Sequence, residues 1–217
     1  YQNERVKESV SKLTSKLGDI QLIECDVSEE KNVAEAFKLI NSYTSSIDMI
    51  VHSIAFANRD DLGGRFIDTQ RDGFRIALDI SAYSLVSIAR HASTQMNKGG
   101  NIITMSFMAA EKVFPGYNVM STAKAALENV VGQLANDLGP DGIRVNAISA
   151  GPLDTLSSRV ISGYRDMKKA HAERSPMKRN ITTSEVASTA LYLCSDLSSG
   201  VTGEVIHVDT GYHVMGI

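Results

Sequence analysis

The chain has no tryptophan, only two cysteines and only four prolines among its 217 residues. Cys25 and Cys194 lie far apart and belong to no Cys-x-x-Cys or Cys/His cluster. That excludes a disulfide framework and a zinc-type ligand set, and leaves two buried thiols as the expectation. An excess of one charge is missing too. Lys and Arg number 22 and Asp and Glu 25, a net charge of −3, with no block of like charges. Nothing in that balance points to a nucleic-acid partner. No apolar run approaches the ~18 residues of a membrane-spanning helix. The opening YQNERVKE is charged and unlike a secretory leader, so the expected compartment is the cytosol. No internal repeat or low-complexity segment occurs. What remains is an ordinary globular composition, 43% apolar and 22% charged, enough for one domain over residues 1–217.

Strand-like and helix-like segments alternate along the chain. Val6, Val10, Leu13 and Leu17 recur at helical spacing over 3–17, and Gly18 follows. IQLIECDV (20–27) reads as a strand, followed by a helix from Ser28 to about Tyr43. DMIVHSI (48–54) is a second strand, and a long helix fills roughly 69–96. NIITMSF (101–107), a helix over 116–138 and IRVNAIS (143–149) come next. An irregular polar stretch covers 151–180, and a helix (183–195) and the strand EVIHVD (204–209) close the chain. Strands separated by helices imply βαβ units and a parallel sheet, and near-continuous apolar strands imply a sheet covered on both faces. The expected class is therefore α/β, a Rossmann-like doubly wound sheet. Such sheets bind ligands at the carboxyl ends of their strands. That rule selects Asp26-Val27, residues 53–57, residues 104–107 and residues 150–155. A dinucleotide-binding fold opens with a strand, a Gly-rich turn and a helix whose N-terminus holds a pyrophosphate. No such turn occurs near Tyr1, so the expectation is a fold whose N-terminal βα unit is missing from this sequence.

Tyr117 and Lys124 are the central chemical pair. Seven residues of α-helix turn ~700°, within ~20° of two full turns, which predicts one shared helix face. A lysine there reaches a nicotinamide ribose, and its charge favours the phenolate and so makes the phenol a better proton donor. Tyr164 and Lys168 form a competing Tyr-x-x-x-Lys pair, but they follow the strand IRVNAIS rather than precede it. That order makes Tyr164 a substrate-loop or helix-surface residue.

Four blocks, VHSIAFA (51–57), FPGYNVMSTAKAALE (114–128), GIRVNAISAGP (142–152) and SSGVTGEVIHVDTGYH (198–213), occur in the order found in the enoyl-acyl-carrier-protein reductases of the short-chain dehydrogenase superfamily, and the chain resembles that family over most of its length. Six residues between Tyr and Lys separate these reductases from the ketoreductases, and HSIAFA replaces the Asn-Asn-Ala-Gly usual in the classical branch. The resemblance implies reduction of the trans-2 double bond of an enoyl thioester carried by acyl-carrier protein. Tyr117 then resembles the tyrosine that hydrogen-bonds the thioester carbonyl, and Lys124 the ribose-binding lysine. Asp26 and Val27 resemble the pair framing the adenine. Ser53, Ile54 and Ala55 resemble the loop along the cofactor. Ala150, Gly151, Pro152, Leu153 and Thr155 resemble the segment around nicotinamide and pyrophosphate. Ala57, Met120, Ile161 and Tyr164 match positions lining the acyl pocket.

Two residues depart from the family pattern. Phe107 stands where a second tyrosine is usual, which keeps the ring and removes the hydroxyl. Asp154 stands where arginine is common, and a carboxylate near a pyrophosphate repels it unless it faces solvent. Neutral Gln2 and Asn3, after the position of a second strand, favour NADH, with NADPH the alternative. The resemblance further implies a homotetramer built on the helices over 69–96 and 116–138 and the last strand. The stretch over 155–174 is the expected substrate lid. Two other readings stay open: a ketoreductase of the same superfamily, and a non-catalytic or truncated homologue.

Overall fold

Four strands, β1 (Ile47–His52), β2 (Met96–Ser106), β3 (Arg144–Ala150) and β4 (Val205–Val208), form one sheet in the order β1-β2-β3-β4, and every neighbouring pair is parallel. The computed structural model describes residues 1–155, 158 and 163–216. Seven α-helices accompany the sheet in that description: α1 (Glu4–Thr14), α2 (Glu30–Tyr43), α3 (Arg71–Leu78), α4 (Ser84–Ser93), α5 (Val119–Leu138), α6 (Tyr164–Arg174) and α7 (Thr183–Cys194).

Alternation along the strands divides the core between two faces. Ile102, Val145 and Ala147 point to one side and pack beneath α4 and α5, against Leu85, Leu127 and Val131. Ile103 and Ile148 point to the other and pack against Leu193 of α7. Residues buried on both faces explain why β2 and β3 read as near-continuous apolar runs. α2 lies beside α4 on the first face, with Val33 and Phe37 against Ala92. α7 begins with a reciprocal cap in which Glu185 N–H donates to Thr182 Oγ1 and Thr182 N–H donates to the Glu185 carboxylate. The register places the carboxyl ends of the strands together: His52 opposes Thr104, Ser106 opposes Ser149, and Ala150 opposes Val208.

The structure departs from the sequence pattern at four places. Residues 20–27 form no strand of the sheet. Their ladder consists of two bonds to Tyr1, whose amino group donates to Ile23 O at 2.8 Å and whose carbonyl accepts from Cys25 N–H at 2.8 Å. Among the described residues no longer neighbour lies beside them, so the pairing does not propagate. The long helix over 69–96 is two helices, α3 and α4, joined by a π-turn at Asp79–Tyr83. The polar stretch over 151–180 contains a regular helix, α6, that its weak apolar periodicity concealed. Last, α5 begins at Val119, not at Gly116. Asn118 adopts φ 39° and Gly116 φ 84°, so the chain turns sharply before the helix starts and Tyr117 lies outside it.

Leu127 is fully buried between α5 and the sheet, whereas Leu197, after α7, is 83% exposed. Leu127→Ala is expected to cost ~2–5 kcal/mol and Leu197→Ala under ~0.5 kcal/mol, read as shifts in the urea midpoint.

Candidate active site

Lys124 projects from α5 to the end of β2. It is only 5% exposed, and its Nζ donates to the carbonyl of Met105 at 2.7 Å. Among the described residues that carbonyl is its only acceptor, so an ammonium with three protons keeps donors to spare. Burial pushes the Lys124 pKa down to about 8, against the pull of Glu128 one turn later on α5. Glu128 accepts from Ser106 Oγ, and burial raises its carboxyl.

Tyr117 meets the same strand end by another route. Its ring stands edge-on to Phe107 at 5.4 Å between centroids, and Phe107 packs on Phe114 at 4.8 Å. The shared helix face is thus replaced by a shared strand end: Lys124 holds Met105, and Tyr117 rests on Phe107 two residues later. Tyr117 also helps line a cavity of about 490 Å³ with Met108, Phe114, Met167, Ala170 and Tyr212. The expected lowering of the phenol pKa is corrected as well. Burial pushes it up to about 12, and the neighbouring Tyr164 adds to the rise.

His52, the last residue of β1, is a feature that motif reading passed over. It is buried with both ring nitrogens engaged, Nδ1 at 2.8 Å from Thr104 Oγ1 and Nε2 at 2.8 Å from Ser84 Oγ. Ser84 spends its proton on the Ile80 carbonyl at 2.6 Å, so its oxygen accepts from Nε2–H. Nδ1 then carries the lone pair and accepts from the Thr104 hydroxyl. Burial first, and the charge of Lys124 second, push the imidazole down to about 4 and keep it neutral. Beside this chain, Ser81 of the π-turn accepts from Phe56 N–H at 2.9 Å and donates to Phe56 O at 3.0 Å. Together these bonds fix both ends of the loop containing Ser53, Ile54 and Ala55. The sequence signal was present: a histidine inside an otherwise apolar strand.

At the end of β3, Gly151 N–H donates to Val208 O at 2.9 Å. A Cβ on Gly151 would lie 3.0 Å from His171 Nε2 and 3.2 Å from Asp209 Cα, so only glycine fits without displacement. Ala150 and Pro152 lie on either side of it, at the same strand end as Ser53–Ala55. Leu153 O accepts from the Tyr164 hydroxyl, and Asp154 turns its carboxylate to solvent and pairs with Lys168. The competing Tyr164/Lys168 pair is therefore committed to the 153–154 segment. Thr155 closes a turn with Ser158, whose Oγ accepts from Thr155 N–H at 2.9 Å. Far across the sheet Gln2 Nε2 donates to Asp26 Oδ2 at 3.0 Å, and Val27 packs partly into the α2–α4 core. Met120 is buried and Ala57 half-buried, while Ile161 lies outside the described residues. No group of His, Cys, Asp and Glu among the described residues suits a metal ion, and no described helix is long and apolar enough to cross a membrane.

Known proteins share this arrangement. The family described as enoyl-(acyl carrier protein) reductase matches residues 1–213. The enoyl-acyl-carrier-protein reductase (NADH) of Bacillus cereus is 48% identical over 218 residues, covering 100% of this chain and 85% of that relative. The NADPH enzyme of the same name from Staphylococcus aureus is 48% identical over 217 residues, covering 99% of this chain and 85% of its own length. A crystal structure of the reductase from Anaplasma phagocytophilum, in complex with NAD, superposes with a TM-score of 0.96 at 46% identity, covering 100% of this chain and 83% of that one. A match along the whole fold, at this identity and with the four motif blocks in order, leaves one conclusion: the chain belongs to the enoyl-acyl-carrier-protein reductase family.

Proposed function

We propose that this protein reduces the trans-2 double bond of enoyl thioesters on acyl-carrier protein, with NADH or NADPH as the reductant. The observation that carries the reading is the convergence of Tyr117 and Lys124 on the end of β2, at the wall of the 490 Å³ cavity. The donor set suits a dinucleotide. Lys124 retains free N–H donors for ribose hydroxyls, Gly151 offers backbone with no side chain in the way, and the Ser53–Ala55 loop is held open by Ser81 and His52. Gln2 and Asp26 stand at the adenine end, and Gln2 brings no charge for a 2′-phosphate. When bound, the nicotinamide would supply hydride to the β-carbon of the enoyl chain; the double-bond electron pair moves toward the thioester oxygen, and a proton taken up from solvent at the α-carbon completes the reduction. Tyr117 stays protonated at working pH because burial holds its pKa near 12, so it donates a hydrogen bond to the thioester oxygen, where negative charge collects. Phe107 orients the phenol by edge contact and contributes no hydroxyl of its own. Met120, Tyr164 and the α6 side of the cavity surround the acyl chain, and residues 155–174 serve as its lid. A homotetramer accords with large apolar side chains left exposed on the described surface, Tyr83 of the π-turn and Leu191 of α7 among them, and the cytosol is the compartment expected for such an enzyme.

Four outcomes test the reading. With a crotonyl thioester, Tyr117→Phe is expected to lower kcat on the order of 10²-fold, while Phe107→Tyr leaves it unchanged or raises it. The Lys124 charge is present below its pKa and lost above it, so NADH affinity, measured by fluorescence titration, falls as pH rises through about 8. Lys124→Met removes that affinity but also a desolvated charge, and its Tm at pH 7 is expected to equal or exceed that of the parent. Unimpaired reduction by Tyr117→Phe would place the hydrogen-bond donor to the thioester oxygen elsewhere. Finally, light scattering at micromolar concentration should give four times the chain mass.

A further inference from the structure

Helix α6 forms one wall of the cavity at Tyr117 through Met167 and Ala170, yet it buries a single residue, His171. The imidazole is 4% exposed and lies flat on Tyr212, 4.8 Å between centroids and 24° between planes. Its edge abuts Gly151, with Nε2 3.0 Å from the point a Cβ would occupy. Neither ring nitrogen has a hydrogen-bond partner among the described residues, and neither does Asn180 Oδ1 nearby. Asn180 is close enough to favour the imidazolium, but it lacks hydrogen-bond geometry. Stacking and filling would be served as well by phenylalanine. A buried side chain with two idle polar atoms calls for a ligand or an ordered water. The space beside it qualifies. A cavity of about 10 Å³, at the threshold for one water, is bounded by Ser149, Gly151, Asp209, Tyr212 and His171 itself together with the apolar Phe107, Met108, Phe114 and Met167.

We propose that His171 is a positioning residue that links the cofactor-binding segment at Gly151 to closure of α6, acting through hydrogen bonds from its imidazole to an ordered water at Gly151. The inference rests on the reading of Gly151–Pro152 as cofactor-binding. Burial keeps the ring neutral, although Asp209 pulls the other way, and a neutral imidazole offers one donor and one acceptor. The Asp209 carboxylate is already engaged by Gly211 N–H and by His213, so it does not complete the ring's hydrogen bonds. With the 150–152 segment held still by cofactor, the water has fixed acceptors and donors, and the ring, with α6 behind it, settles. With the segment free, this buried link is loosened, and the helix keeps only the Tyr164–Leu153 and Lys168–Asp154 contacts.

Hydrogen exchange with and without NADH tests this on the whole chain. In the parent protein NADH is expected to slow exchange over 164–174 by about tenfold, the scale of one buried hydrogen bond gained. His171→Phe keeps the ring and removes both nitrogens, and should abolish that slowing while β3 stays protected. His171→Gln restores a donor and an acceptor, and should recover most of it. In parallel KM for the enoyl thioester should rise in His171→Phe with kcat little changed. NADH-dependent protection of α6 that persists in His171→Phe would overturn the proposal, because packing alone would then explain the residue. So would protection by NADH of residues 53–55 and 150–152 with none at α6 in the parent. Absence of NADH protection everywhere would instead strike at the functional reading.

Discussion

The site is organised by one buried ammonium. Lys124 has left water and, among the described residues, has a single carbonyl, that of Met105, in its place. A cation so poorly solvated is costly, and every neighbour reflects it. His52 stays neutral, first because it is buried and second because it lies beside the Lys124 charge. Its ring bridges Thr104 and Ser84, Ser84 donates on to Ile80 O, and the Thr104 hydroxyl also has His52 O within reach at 3.3 Å. Glu128 sits one turn along α5, near enough to pull on the ammonium but occupied by Ser106. The result is an ammonium that a ligand can satisfy better than the protein does. The cofactor-binding role proposed for Lys124, an affinity for hydroxyl-rich, anionic groups, would follow from what the fold withholds.

The aromatic side of the site obeys a different logic. Phe107 meets Tyr117 edge to face and Phe114 at a tilt, and Tyr117 lines the cavity beside them. A tyrosine at position 107 would place a second hydroxyl near the first. Phenylalanine leaves Tyr117 as the one phenol on this strand end, with Tyr164 facing it from α6.

Much of this was legible in the sequence, and the failures have physical causes. The strands of the sheet were readable because burial on both faces forces unbroken apolar runs, and the rule that ligands sit at carboxyl ends of parallel strands picked out Ser53–Ala57, Phe107 and Gly151. Residues 20–27 have the pattern of a strand, but a strand is a relation between two segments and the pattern speaks for one. The Tyr117–Lys124 geometry failed because periodicity arithmetic assumes an uninterrupted helix. Asn118 breaks it with a positive φ, a conformation that asparagine tolerates better than most residues. α6 escaped notice because only His171 faces inward, which leaves no apolar stripe to count. His52 looked like a strand residue because its role lies in hydrogen bonds to Thr104 and Ser84, distant in sequence.

The π-turn between α3 and α4 also sets the register of a seam. Buried residues recur every four positions through this stretch: Gly73, Ala77, Ser81, Leu85 and Ala89. On a continuous α-helix a four-residue repeat overshoots by ~40° per step, so the buried line would swing ~120° around the axis between Gly73 and Leu85. The additional residue in the π-turn takes back ~100° of that rotation. The buried positions are thereby brought back toward one side, and both helices pack against α5. Ser81 rides on the turn that makes this correction, and Ser81 holds the backbone of Phe56. Phase in the helix pair and placement of the loop over β1 are therefore one geometric quantity, and neither can be retuned alone.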